Sequence, residues 1–323
     1  MAEPNSTNSQ APFFLLNSLP GLEVAHAWLS ITFSFMFVLA LLGNSMVLLV
    51  ICAEPSLHEP MYLFLAMLAA ADLGLATSTF LSMLRIFWSG ARELSSSACF
   101  TQMFFIHTFT DIELAVILAM AFDRYVAISS PLWYASLLTN AFITKICLAI
   151  VVRTIIIQVP MPILLTRLHF NVSNQLAHPY CLHPDIIKRA HSDTRVNSIY
   201  GLFVLLSTLG LDLLSVLFSY ILILKTVLSI ASHHQRLKAL NTCVSHVCAV
   251  LLFFTPMICL SMVHRFGKDV SPQVYVLLAN LDFLVPPMLN PIIYSVRTRA
   301  IQRKIWGLFH CRVGRKPGAT IVL

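Results

Sequence analysis

The stretch Met120-Ala121-Phe122-Asp123-Arg124-Tyr125-Val126 places an acid and an arginine near the end of a long apolar segment. A charged group at membrane depth costs at least a few kcal/mol unless it pairs or faces a water-filled interior. Arginine near a helix end can also extend its head to the lipid headgroups at little cost. The stretch therefore indicates either a buried charge pair with a function or a plain pair at the membrane surface.

The composition around this stretch is that of a membrane protein. Hydrophobic residues make up 58% and charged residues 11% of the 323 residues, whereas soluble domains average about 25% charged residues. The formal net charge is +7, and several of the basic residues form a cluster after the last apolar segment. Basic clusters beside an apolar segment are typical of the cytoplasmic side of membrane proteins. We therefore expect the chain to interact with a lipid bilayer and not with nucleic acid.

Seven apolar segments reach the roughly 20 residues that a membrane-spanning helix needs. They run over Trp28–Cys52, Met61–Trp88, Cys99–Ser129, Phe142–Leu165, Val196–Ile230, Ala239–Val263 and Pro272–Val296. None shows the alternation of a transmembrane β-barrel, and backbone groups in lipid are satisfied within a helix. The predicted fold is an all-α membrane protein with a seven-transmembrane helix bundle.

Charge asymmetry predicts the orientation and the division of the chain. Residues 1–27 contain no lysine or arginine, whereas residues 297–323 contain seven. Basic residues favour the cytoplasmic side, so we expect an extracellular tail (1–27), a transmembrane domain (28–296) and a cytoplasmic tail (297–323) in the plasma membrane. The stretch 299–310 has helically spaced apolar residues and predicts a short interfacial eighth helix. Cys311 after it is either a palmitoylation site or a reduced thiol.

The amino-terminal residues carry no basic region of a signal peptide, so the first helix is expected to act as the insertion signal. The sequons at Asn5 and Asn171 both fall on the predicted extracellular side, where N-glycosylation takes place.

Several polar residues lie within apolar segments and are expected to face the bundle interior. Asp72 and Glu113 either hold a cation such as sodium between them, or one of the two is protonated and hydrogen-bonds its neighbours. Further inward-facing candidates are Asn44, Asp212, Asp282 and Asn290. Pro256 and Pro291 interrupt the sixth and seventh segments, either as hinges or as ordinary membrane prolines.

His107 and Asp111 stand four residues apart in the third segment and therefore share one face of a helix. That face either lines a cavity or is packed. The chain contains no HExxH, GxSxG, P-loop, Rossmann glycine or CxxC pattern. We therefore expect no enzymatic activity, no cofactor and no metal site.

Taken in order, the motifs resemble a rhodopsin-like G-protein-coupled receptor. They are Gly43-Asn44, Asp72-Leu73, Asp123-Arg124-Tyr125 and Asn290-Pro291-Ile292-Ile293-Tyr294. Three further stretches are similar to odorant receptors: Leu57-His58-Glu59-Pro60-Met61-Tyr62, the run from Met120 to Ile128, and Lys238-Ala239-Leu240-Asn241-Thr242-Cys243-Val244-Ser245-His246. His264-Arg265-Phe266-Gly267 resembles the fish-like class I branch.

The resemblance implies a conformational switch and a disulfide. The arginine at Arg124 pairs with Asp123 at rest and releases to let the sixth helix swing outward for a heterotrimeric, stimulatory G protein of the olfactory type. The switch set comprises Asp123, Arg124, Tyr125, Tyr220, His246, Asn290, Pro291 and Tyr294. Cys99 and Cys181 are expected to form a bridge that holds the long outer loop over the bundle.

The resemblance also implies a pocket for a small-molecule odorant, lined by His107, Gly201, Leu205, Ser261 and Arg265. Because a guanidinium offers bidentate geometry to a carboxylate, the ligands are expected to be small volatile or polar organic molecules, including carboxylic acids. The alternative is that Arg265 only pairs with an outer-loop acid such as Asp185 or Asp269.

The chain departs from many relatives at several positions. Asn171 and His191 stand where a second loop disulfide is common, which predicts a looser loop. Pro184 replaces a polar contact of some acid-binding members. Ser129-Ser130 and Trp133 replace residues usual after the arginine motif, so coupling is expected to be weaker.

Two other functions compete with an odorant receptor. A metabolite-sensing receptor outside the olfactory system would share the same fold. An ion-coupled or proton-coupled transporter could use acids such as Asp72 and Glu113, although the halves show no internal repeat.

Overall fold

A computed structural model of the chain describes residues 12–17, 26–266, 270–297 and 301–304. Within these residues, seven helical spans are long and apolar enough to cross a membrane, as the sequence predicted. We number them one to seven along the chain. Spans one to three are the helices His26–Ala53, Pro60–Ser89 and Ser96–Ser129. Span four comprises Asn140–Gln158 and Pro160–Leu165, span five Arg195–Leu205 and Leu211–Ser229, span six His233–Phe266 and span seven Pro272–Arg297.

Local sequence explains where these helices begin and end. The hydroxyl of Ser95 accepts a hydrogen bond from the Ala98 N–H at the start of span three, and Thr139 does the same for Phe142 in span four. Pro60 occupies the first turn of span two, where its missing N–H costs nothing. Gly90 ends that span with a φ of 66°, a left-handed conformation that favours glycine.

Three helices differ in detail from the sequence prediction. Span six begins at His233 rather than Ala239, because its first turns continue beyond the apolar stretch. Span four is interrupted at Pro160, and a π-helical turn, Leu206–Gly210, interrupts span five. Of the expected eighth helix, residues 301–304 are helical, with Ile301 fully buried, and residues 299, 300 and 305–310 lie outside the described part of the chain.

A small sheet, which the sequence analysis did not predict, lies at the end of the bundle where span three begins. Strand β1 (Phe13–Leu15) pairs antiparallel with β2 (Glu93–Ser95) and parallel with β3 (Ser173–Gln175). Strands of three residues are too short to show a period in the sequence. We call this the sheet end of the bundle, and the end that carries Arg124 the opposite end.

The long loop between spans four and five is also held in place, although it lacks the second disulfide. It contains β3 and a short helix, His183–Ile187. The N–H of His191 donates to the His169 carbonyl at 3.0 Å. The buried carboxylate of Asp185 accepts the Ala177 N–H at 2.7 Å, and burial raises its pKa. Hydrogen bonds therefore hold the loop at these two points, and a loop looser than in relatives with the second disulfide stays a prediction.

Candidate ligand cavity and switch region

A cavity of about 220 Å³ lies toward the sheet end, between spans three to seven and the long loop. Four of the five pocket residues expected from the resemblance line it: His107, Gly201, Leu205 and Ser261. The backbone of Arg265 lies one residue beyond His264, which also lines the cavity, but the Arg265 side chain is outside the described part. The volume is below the usual range for drug-sized ligands, about 300–1,000 Å³, so the cavity suits a small molecule.

The roof of the cavity is formed by His183, which the sequence analysis did not single out. Its backbone N–H donates to Nε2 of His107 at 3.4 Å. A Cβ added at Gly201 would lie 3.1 Å from Cε1 of His183, so the glycine makes room for this ring. Burial, together with the imidazoles of His107 and His264, lowers the pKa of His183 to about 3. The ring is therefore neutral at physiological pH.

The Cys99–Cys181 disulfide fixes this roof. The two cysteines are bonded, with Cα atoms 5.5 Å apart, and Cys181 precedes His183 by two residues. That proximity to the bridge was the sequence signal that could have identified His183. Asn171 is exposed in the same loop, whereas Asn5 and Cys311 lie outside the described residues.

The inner end of the cavity is polar. Asp111 lines it together with Thr110 and Gln158, and Nε2 of Gln158 donates to Oδ2 of Asp111 at 3.5 Å. His107 and Asp111 share one face of span three as predicted, and the structure shows that this face lines the cavity. They do not bond to each other: His107 accepts the His183 N–H, and Asp111 accepts the Gln158 amide. Asp282, another predicted interior residue, also lines the cavity.

Asp212 finds its partner in Arg153, which the sequence analysis missed. Nη1 of Arg153 in span four lies 3.0 Å from Oδ2 of Asp212 in span five. Nη2 donates to the carbonyl of Ser207, within the π-helical turn, at 2.9 Å. The pair therefore joins spans four and five beside the cavity wall.

Further polar residues connect the interior of the bundle. Nδ2 of Asn290 lies 3.0 Å from each carboxylate oxygen of Asp72, and Asp72 contacts the carboxyl group of Glu113. Nδ2 of Asn44 donates to the Pro287 carbonyl at 2.8 Å and so joins spans one and seven. Among the described residues, no cluster of three or more His, Cys, Asp or Glu forms a metal site.

At the opposite end, Asp123 and Arg124 form an ion pair. Nη2 of Arg124 lies 2.6 Å from Oδ2 of Asp123, and the Tyr134 hydroxyl donates to Oδ1 of Asp123 at 2.7 Å. Tyr134, another residue that the sequence analysis missed, thus holds the acid in place. Tyr125 packs beside Ile223 and Val227 of span five.

His246 joins three spans beside this pair. Its Nε2 lies 2.9 Å from the carbonyl of Ile117, which can only accept, so Nε2 carries the proton. Nδ1 is then the acceptor for the Tyr220 hydroxyl, 2.5 Å away. In span seven, Tyr294 is buried, and its hydroxyl has no hydrogen-bond partner within the described residues. A Cβ added at Gly43 would lie 2.8 Å from Cγ of Pro291, so spans one and seven approach closely.

Comparison with known proteins identifies the family. Residues 33–311 match the family model described as olfactory receptor. Human olfactory receptor 51L1 is 51% identical over 312 residues, covering 97% of this chain and 99% of that receptor. Human olfactory receptor 51G2 is 52% identical over 305 residues (94% and 97%), and human olfactory receptor 51E1 is 49% identical over 310 residues (96% and 97%). The chain therefore belongs to the olfactory receptor family of G-protein-coupled receptors, multi-pass plasma-membrane receptors for odorants that are not enzymes, and its relatives are consistent with the class I branch.

Proposed function

We propose that this odorant receptor detects small organic acids in the cavity at the sheet end and activates a stimulatory G protein at the opposite end. The observation that carries the proposal is the roof, where neutral His183, His107 and Ser261 line a cavity of about 220 Å³ beside the position of Arg265. A guanidinium binds a carboxylate bidentately. Asp185, one of the two acids that could pair with Arg265 instead, is buried and accepts the Ala177 N–H, so its carboxylate is already bonded within the loop.

The proposed orientation places the sheet end outside the cell. The absence of lysine and arginine from residues 1–27 and their abundance in 297–323 support it. The ligand then enters from outside, and Arg124 faces the G protein.

The proposed switch is the pair of Asp123 and Arg124 together with the Tyr220–His246 hydrogen bond. A ligand shifts the receptor only by binding the active state more tightly than the resting state. A ligand that contacts Ser261 and Arg265 in span six, and also His183 in the long loop, would have different affinities for the two states, because span six moves between them and the loop does not. Span six then moves, Tyr220 and His246 separate, and Arg124 leaves Asp123.

The test is cyclic AMP accumulation in cells expressing the receptor with a stimulatory olfactory-type G protein. Short-chain carboxylic acids should elicit a response, and their matched alcohols and esters a weaker one. Arg265→Ala should raise the half-maximal concentration of an acid about tenfold or more, since a charge-assisted pair is lost. Arg195→Ala, which removes an exposed arginine at the same end, is the matched control and should leave the response unchanged. An unchanged midpoint in Arg265→Ala would remove the acid-binding role.

A further inference from the structure

We propose that the inner end of the cavity is a second ligand subsite, which binds a hydroxyl group, so that the preferred ligands are hydroxy acids rather than plain acids. The proposal rests on the proposed function, because it takes the carboxylate to lie under the roof at His107 and His183. Three side chains form this inner subsite: Thr110, Asp111 and Gln158.

The first step of the argument is that these side chains are buried yet incompletely bonded. Thr110 is 6%, Asp111 2% and Gln158 3% exposed. Oγ1 of Thr110, Oδ1 of Asp111 and Oε1 of Gln158 make no hydrogen bond of ordinary length among the described residues, and the one further hydroxyl that acts on the Asp111 carboxylate is that of Thr154. An unsatisfied buried polar group destabilises a protein, and most such groups have a partner. Three of them along one cavity wall indicate that the partner is a molecule bound in the cavity.

The second step concerns the kind of group that fits. Nε2 of Gln158 is directed at Oδ2 of Asp111, which leaves Oε1 of Gln158 and Oδ1 of Asp111 as acceptors. The Thr110 hydroxyl can donate or accept. An ether, ester or ketone brings only further acceptors, whereas a hydroxyl donates to one carboxylate or amide oxygen and accepts from Thr110. An ammonium group would also donate, but the positive charge of Arg153 already acts on the Asp111 carboxylate and would repel a second cation.

The third step is the separation between the two ends of the ligand. His107 and Asp111 are four residues apart in span three, and four residues of α-helix rise by about 6 Å. A short, unbranched acid with a hydroxyl at its far end spans that distance. Val204 and Leu205 of span five line the same cavity with aliphatic side chains, which suits its methylene groups.

The experiment compares two ligands that differ in one group of equal size, hexanoate and omega-hydroxypentanoate. Their half-maximal concentrations are measured by cyclic AMP accumulation for the wild type, Asp111→Leu and Gln158→Leu. Surface labelling identifies a variant that fails to reach the membrane. The ligand preference is then measured in the other variant alone. Thr144→Val, an exposed threonine of span four, is the matched control. The expected result is that the wild type favours the hydroxy acid by about tenfold or more, that this preference reverses in each variant, and that Thr144→Val keeps it.

A second readout separates this inference from the proposed function. Thermal unfolding of the purified receptor is followed with each ligand, because stabilisation by a bound ligand needs no G protein. Stronger stabilisation by the hydroxy acid, lost in the variants, supports the subsite even without a cyclic AMP response, and in that case the proposed coupling fails. A cyclic AMP response to both acids without preference overturns the subsite and leaves the proposed function standing. If water alone satisfied these oxygens, hexanoate would bind as well as or better than the hydroxy acid.

Discussion

Nη1 of Arg153 lies 3.0 Å from Oδ2 of Asp212, so that a charged pair joins spans four and five. The same guanidinium donates to the Ser207 carbonyl, inside the π-helical turn. That turn carries Thr208 and follows Leu205, both of which line the cavity. The ion pair therefore helps to set the shape of one cavity wall although neither partner lines it.

Removal of one partner of this pair should be more harmful than removal of both. Asp212→Leu leaves Arg153 without its ion-pair partner and should destabilise the receptor by about 3 kcal/mol. Arg153→Met should cost a similar amount, and the double variant much less than the sum. The measurement is thermal unfolding of the purified receptor together with surface expression. Simple additivity of the two effects would show that the residues do not interact.

Gly43 should not tolerate even one methyl group. A Cβ there would lie 2.8 Å from Cγ of Pro291, so Gly43→Ala should lower the free energy of unfolding by about 1–3 kcal/mol through overpacking. Gly210→Ala is the control, because its nearest neighbour would be Cδ2 of Leu206 at 3.9 Å. The control should unfold at the wild-type temperature or slightly above it, since alanine favours helix. Equal effects of the two substitutions would contradict the close contact of spans one and seven.

Asp123→Asn should raise cyclic AMP without ligand, because it removes the charge that holds Arg124 at rest. The rise should be about tenfold or more, as expected for the loss of a charge-assisted hydrogen bond of about 1.5–3 kcal/mol. Tyr134→Phe removes one neutral donor to the same carboxylate and should give a smaller rise. Surface expression is measured in parallel, and basal activity is compared per receptor. Basal activity at the wild-type level in Asp123→Asn would argue against the ion pair as a restraint.

The buried ring of His178 should cause the free energy of unfolding to fall in mild acid. Burial, with a smaller contribution from Lys188, lowers its pKa to about 3, and its ring stacks on Tyr180. The unfolded chain takes up a proton below about pH 6.5, whereas the folded chain does so only near pH 3. Stability is therefore lost as the pH falls through this window, by about 1 kcal/mol at about pH 5.5. In His178→Phe, the decrease in unfolding temperature between neutral and mildly acid buffer should be smaller, and an identical decrease would contradict the assignment.

Hydropathy located all seven spans within a few residues, but it reports contact with lipid rather than helical hydrogen bonding. It therefore missed the polar turns from His233 to Lys238 that extend span six beyond the apolar stretch. It could not reveal the π-helical turn in span five, because a change in the backbone hydrogen-bonding pattern over Leu206–Gly210 leaves no mark in hydropathy. Nor could it reveal the sheet, whose pairing joins segments far apart in the chain.

The family resemblance supplied four residues that line the cavity, yet it missed other side chains that form the cavity wall and the switch region. Arg153 and Gln158 are polar residues within an apolar helix, and this was a usable signal. Their partners, Asp212 and Asp111, lie on other spans and only the fold brings them together. Tyr134 and His183 each begin a short helix between two spans, Tyr134–Leu137 and His183–Ile187, and helices of four or five residues are too short for sequence spacing to show which way a side chain points.

Strand β1 occupies the middle of the sheet, and Phe14 is fully buried with its ring 5.4 Å from that of Phe170 in the long loop. Truncation past Pro12 would strip two neighbouring strands of their common partner and would expose their unpaired backbone groups. Epitope tags and fusion partners for following this receptor in cells therefore belong upstream of Pro12, and a shortened amino terminus would alter odorant sensitivity itself.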